Sequence, residues 1–137
     1  MNKRRYYKGH RISKGERKIA KFFDSHDIEY VREKTFKTCI NSKGNNLRFD
    51  FYLEQFNLLI EYQGHHHLKP INKYHRAKLV HEKTVVHDAI KEKWAFDNQI
   101  NLIKIFYEDY EKVDDILDDL FEEIENNLRG QELCQPL

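Results

Sequence analysis

The sequence predicts a mixed α/β domain: a central mixed sheet flanked by helices, with an extra amphipathic helix at the C-terminus. Three observations lead there. Leu47, Phe49, Phe51 and Leu53 alternate with Arg48, Asp50 and Tyr52, the period of a strand. Val113, Ile116, Leu117, Leu120, Phe121, Ile124 and Leu128 recur at i, i+3, i+4, i+7, the period of a helix. Between and around them the segments read helix, three strands, helix, strand, helix, which is the order of an α/β layer structure.

Each element has a local cause. Ser13 reads as a helix N-cap and Glu16, three residues on, completes a capping box. Ile19, Ala20, Phe22 and Phe23 give that helix its apolar face, so it is expected over Ser13 to His26. A strand is expected over Glu29 to Phe36, and the Asn41–Asn46 segment (NSKGNN) is turn chemistry. Leu47 to Leu53 is the second strand, Glu54 to Asn57 a short loop, and Leu58 to Gln63 the returning strand, ended by Gly64. His67 to Val86 is polar and has no clear period. Val86, Ile90 and Trp94 predict a helix over Val86 to Phe96, Ile100 to Tyr107 a strand, and Arg129-Gly130 the stop of the final helix.

Composition excludes several classes. The hydrophobic fraction of 39%, with nine Phe and eight Tyr, supports a packed core. No apolar run approaches the roughly 20 residues of a membrane helix, and the basic start MNKRRYYKGH is followed by no apolar segment of a secretory signal. Two cysteines, Cys39 and Cys134, make no disulfide scaffold, so a reduced, cytoplasmic setting is expected. The net charge of +1 hides an asymmetry: eight Lys/Arg against one acid from Met1 to Lys18, ten Asp/Glu against one base from Glu108 to Glu125. A basic arm opposite an acidic tail suits a polyanion at one end. The chain divides into a mobile basic arm (1–12), a main domain (13–109) and an acidic helix and tail (110–137).

The hairpin Leu47–Gly64 carries the chemistry. If Leu53 pairs with Leu58, then Tyr52 faces Leu59, Asp50 faces Glu61 and Arg48 faces Gln63, all on one face. Leu47, Phe49, Phe51, Leu53, Leu58, Ile60 and Tyr62 then form the other, buried face. Opposed carboxylates repel unless one is protonated or a cation lies between them, and an all-oxygen donor set suits Mg²⁺, with Mn²⁺ able to substitute. The alternative is a solvent-exposed strand face on which Arg48 neutralises both acids. His65, His66 and His67 follow Gly64 directly, and a neutral imidazole is the usual general base near pH 7.

The ordered set LRFDF, LLIEYQGHHH and DAIKEKWAFDNQINLIKIFY, preceded by a helical glutamate, resembles the very-short-patch-repair type of endonuclease. It resembles more closely the EDxHD type of phage and intron homing endonuclease, both branches of the PD-(D/E)XK nuclease superfamily. The resemblance covers Ser13 to Tyr107. It implies a restriction-endonuclease-like core and a metal-dependent DNA endonuclease, of phage or mobile-element type. Asp50 matches the principal metal-binding aspartate, and Glu61 and Gln63 the (D/E)-x-K positions, with Gln in place of the usual Lys. Glu16 matches the helical glutamate, His67 the histidine of G-x-x-H and Asp88 the last aspartate, with Lys91 following it. The backbone carbonyl of Tyr62 is a further metal ligand by the same resemblance.

The resemblance thus implies Mg²⁺ on Asp50, Glu61 and the Tyr62 carbonyl, His67 as base or water-positioning group, and Asp88 or Glu16 orienting it. Lys91 and Gln63 would hold phosphate or nucleophile. Arg4, Arg5, Lys8, Arg11 and Lys14 would supply sequence-independent affinity for double-stranded or branched DNA. Glu16 alone also reads as a capping-box acid, and Asp88 as a first-turn helix acid. A free-standing domain of this size can nick one strand, cut both as a homodimer, or process a branched substrate such as a Holliday junction. The rivals are a non-catalytic DNA-binding protein on a degenerate nuclease fold, and a His-rich metal-handling protein.

Overall fold

A computed structural model describes residues 6–7, 10–64 and 75–133. Two short strands, β1 (Tyr6–Tyr7) and β2 (His10–Arg11), pair antiparallel ahead of helix α1 (Lys14–Ser25). Strands β3 (Val31–Ile40), β4 (Asn46–Leu53) and β5 (Leu58–Gln63) follow, then helix α2 (His75–Asp97), strand β6 (Asn101–Phe106) and helix α3 (Val113–Leu133). The main sheet has the order β3-β4-β5-β6; β3/β4 and β4/β5 are antiparallel and β5/β6 is parallel, joined through α2. A mixed four-stranded sheet flanked by helices is the predicted class, with the predicted order of main elements.

The local signals act as expected at most boundaries. Ser13 caps α1: its hydroxyl accepts from the Glu16 N–H at 3.2 Å, and its own backbone N–H helps hold the Glu16 carboxylate, so the capping box is reciprocal. A 3₁₀ turn (Glu54–Phe56) and Asn57, in the left-handed conformation at φ 50°, close β4 onto β5. The register there is the expected one: Leu53 pairs with Leu58, Tyr52 with Leu59 and Phe51 with Ile60.

Five expectations are corrected. The N-terminal arm is ordered at its inner end, where His10–Arg11 pairs with Tyr6–Tyr7 and Ile12 is buried. β3 runs on to Ile40 because the Asn41 turn, not Phe36, ends it. α2 begins at His75, well before Val86, and Val86 is exposed; Ile90, Trp94 and Ala95 are the residues that pack on the sheet. Gly130 lies inside α3 and does not stop it. The fifth correction concerns the hairpin's apolar face. Phe51, Leu53, Leu58 and Ile60 pack with Ile19, Phe23, Val113 and Leu117 of α1 and α3, but Leu47 and Phe49 pack with Leu59, Cys39 and Ala95 beneath α2. Successive strand residues point to opposite faces, so the sheet carries a core on each side: α1 and α3 on one, α2 on the other.

The facing of β4 therefore reverses between Phe49 and Phe51. β3 reverses at the same level: Arg32 reaches Glu16 of α1, whereas Lys34 lies over the Phe36 and Tyr52 rings on the α2 side. The residue between them, Glu33, is opposite Asp50 in the register and has φ 51°, a left-handed conformation inside a strand. An ordinary strand prefers Val to Gly. At position 33 the order should invert, with Glu33→Gly more stable than Glu33→Val by about 2 kcal/mol in urea unfolding; Val at or above Gly would show that the backbone there is not held left-handed.

Helix α1 lies close on β5 at one point. Gly15 is buried against the Tyr62 ring, and a Cβ added there would clash with the outer ring carbons Cζ, Cε1 and Cε2. Gly15→Ala should cost about 3 kcal/mol by overpacking, read as a lower urea midpoint with an unchanged m-value.

Candidate functional site

The site is assembled where this reversal, the start of α1 and the middle of α2 meet. Asp50 sits at the seam between β4 and β5. Its Oδ2 accepts the Tyr62 backbone N–H at 2.8 Å, so a side chain takes the place of the β4 carbonyl that would continue the ladder. The pairing accordingly stops at Phe51/Ile60, and the direct oppositions expected of Asp50 with Glu61 and of Arg48 with Gln63 do not form. Arg48 is exposed and pairs with Glu33 at 3.5 Å, whereas Gln63 is buried. The two carboxylates still come into electrostatic range, because Asp50 raises the proton affinity of Glu61.

On the α1 side, Glu16 projects from the first turn of the helix. Its carboxylate accepts from Arg32 Nη2 at 3.0 Å. Burial and the neighbouring Asp50 charge nonetheless push its pKa up to about 7, against the opposing pull of Arg32 and the Ser13 N–H; Glu33 adds to the rise. On the α2 side, Glu61 is buried beneath the helix, with 4% of its side chain exposed. Lys91 projects down from α2 to form an ion pair with Glu61 Oε1, and Gln63 Nε2 lies 3.4 Å from Oε2. Desolvation outweighs the lysine: the Glu61 pKa rises to about 7, with Asp50 and Asp88 contributing and Lys91 opposing. Lys91 also lies 5.1 Å from the centroid of the Phe49 ring.

Three carboxylates thus form a row through the sheet: Glu16 on one side, Asp50 in the seam, Glu61 on the other. Two, Glu16 and Glu61, are shifted toward the neutral form chiefly by burial, with the charge of Asp50 between them adding to both shifts. Asp88, on α2 one turn before Lys91, is near enough to act on Glu61. Among the described residues no cluster of three His, Cys, Asp or Glu is placed to hold a metal ion.

Of the other expected residues, Lys14 lies with Lys18 over the Tyr110 ring, at 4.0 and 4.5 Å from its centroid. His67, Arg4, Arg5 and Lys8 lie outside the described residues, and Arg11 is described for its backbone alone. Trp94 is half-buried and packs against the core: its ring centroid lies 4.4 Å from that of Phe36 and its Nε1 donates to Thr38 Oγ1 at 2.9 Å. Sequence reasoning missed Arg32 and Glu33. Alternation alone places Arg32 on the face of Lys34; only the left-handed Glu33 turns it toward Glu16.

No known protein family, curated protein or solved structure matches this chain. Among the described residues no helix is long and apolar enough to cross a membrane.

Proposed function

We propose that the protein is a metal-dependent DNA endonuclease with a restriction-endonuclease-like core. The observation that carries this reading is the carboxylate row, with Asp50 at its centre and the Tyr62 main chain beside it. In a strand the N–H and C=O of one residue point the same way, so the Tyr62 carbonyl is directed toward the seam that holds Asp50. Asp50, Glu61 and that carbonyl are hard oxygen donors, and Mg²⁺ binds through few protein oxygens while keeping several waters. Burial is the main cause of the raised proton affinities of Glu16 and Glu61, and the Asp50 charge adds to both, so a cation at Asp50 would relieve the second contribution. The donor set therefore fits the ion.

Asp50, Glu61 and the Tyr62 carbonyl would hold Mg²⁺, which would supply the positive charge that polarises a scissile phosphate and stabilises a departing oxygen. The chain's own residues divide the remaining work. Gln63 carries an amide, which takes no proton at neutral pH, so its part is to hold Glu61 in place. Lys91 neutralises Glu61 from above and sets the net charge of the site. Glu16, anchored by Arg32, borders the site on the α1 side. By the resemblance, His67 accepts or positions the proton of the attacking water, with Asp88 or Glu16 orienting it; by their charge, the N-terminal basic residues add phosphate affinity.

The test is cleavage of supercoiled plasmid at low salt by wild type and Asp50→Ala in Mg²⁺, Mn²⁺ and EDTA. Nicked or linear product that needs the metal and is lost in the variant is the expected result. Asp50→Ala cutting at the wild-type rate would refute the assignment. DNA binding without cleavage of plasmid or four-way junctions would move the protein to the non-catalytic class.

A further inference from the structure

From Lys34 to Phe49 the chain contains four cations (Lys34, Lys37, Lys43 and Arg48) and no acid, in a sequence with 23 acids over 137 residues. This stretch is the outer half of the β3–β4 hairpin. One face of it is anchored: Phe36, Cys39, Leu47 and Phe49 pack beneath α2, and Trp94 bonds Thr38. The other face is open, with Thr35, Lys37, Asn46 and Arg48 exposed.

The turn at its end is built rigidly. Asn41 Oδ1 accepts from the N–H groups of Lys43 at 3.0 Å and Asn45 at 2.9 Å, and the Asn41 and Gly44 backbones bond Asn45 and Asn41. Gly44, at φ 82°, has nothing within 4 Å of where a Cβ would stand, so the tip projects clear of the body. A two-stranded ribbon that exposes Lys37 and Lys43 and is tipped with exposed amides matches one partner by charge and by shape. The major groove of duplex DNA admits a β-ribbon, lysines meet its phosphates, and Asn pairs with adenine edges.

We propose that the β3–β4 hairpin is the DNA-reading element of this protein, entering the major groove with Lys37 and Lys43 on phosphates and Asn45 and Asn46 toward the bases. This rests on the nuclease reading for its meaning and for the cut-site readout, whereas the salt dependence of binding tests it independently. Asn45 lies five residues along β4 from Asp50, about 17 Å at strand rise. That is about five base pairs of duplex, so the bases read and the phosphate cut are offset by that interval.

The test uses the full chain and a fluorescein-labelled 30-bp duplex of random sequence, with affinity measured from 50 to 300 mM salt. Lys37→Ala/Lys43→Ala should bind about ten- to a hundredfold more weakly at low salt, and its slope of log K against log salt should fall by about two. The Asn45→Ala/Asn46→Ala variant should keep the slope and, on plasmid, shift the distribution of cut sites. All four positions are exposed, and matching circular-dichroism melts would show that the variants fold. An unchanged salt slope in the lysine variant overturns the proposal even if cleavage is confirmed. Conversely, if Asp50→Ala leaves cleavage intact but the lysine variant loses its slope, the hairpin assignment stands and the nuclease site falls.

Discussion

Lys91→Met should lose about 3 kcal/mol of unfolding free energy at pH 8 and much less at pH 5. The ammonium and the Glu61 carboxylate form a pair with 11% and 4% of their side chains exposed, and removing one partner of such a pair leaves an uncompensated buried charge. The pH dependence follows from Glu61. Its pKa in the folded protein is raised from 4.5 to about 7, chiefly by burial. A raised folded pKa means that the neutral form is the better fit. That contribution is fully present below pH 4.5 and is lost as pH rises through about 7. Without Lys91 the pKa rises further, so at pH 5 Glu61 is simply protonated and the lysine is missed little; at pH 8 the chain must ionise a buried acid or bind a proton to avoid it. Glu61→Gln/Lys91→Met should recover most of the loss, because a neutral pair of similar size leaves no charge buried. Urea unfolding at the two pH values checks this, and an equal loss at both would mean that Lys91 acts through packing alone.

Asp50→Asn should abolish cleavage, by about a thousandfold or more, while leaving the fold at least as stable. The amide oxygen of Asn can still accept the Tyr62 N–H, so the seam between β4 and β5 stays bonded. Its charge is gone, however, and that charge raises the proton affinity of both Glu16 and Glu61. Both acids should therefore ionise at lower pH in the variant, and stability should fall less steeply between pH 4.5 and 7 than in wild type. At pH 8 the variant should be the more stable by about 1 kcal/mol. Loss of cleavage together with a gain in stability separates a functional aspartate from a structural one. A variant that both cuts and unfolds as wild type does would remove Asp50 from the site.

Much of the local structure could be read residue by residue. The Ser13–Glu16 capping box, the four-residue closure before Leu58 and the register next to it, as far as Phe51/Ile60, each have a short-range cause, and each stands as expected. The α3 stripe begins where the spacing places it, since Val113 and Leu117 are both core residues. α2 was only partly legible, because its first half has no apolar period and its sheet-facing residues are a short group near its end. Of the candidate site residues, the hairpin pattern points to Asp50 and Glu61, while Glu16, Gln63 and Lys91 enter through the family resemblance. The pairing of Lys91 with Glu61 was not legible, because nothing local links residues 30 positions apart.

The sequence by itself determined the class of the fold, its order of elements and the residue types that carry chemistry. These follow from periodicities of two and 3.6 and from caps and turns, which act within a few residues. Only the tertiary structure decided which face each hairpin residue takes. A strand pattern of buried residues looks the same whether its apolar side chains enter one core or two, and here a helix covers each side of the sheet. The left-handed Glu33, opposite Asp50, marks the level at which the facing changes. That reversal places Arg32 beside Glu16 and Asp50 between the half-buried Glu16 and the buried Glu61, an arrangement set by long-range packing.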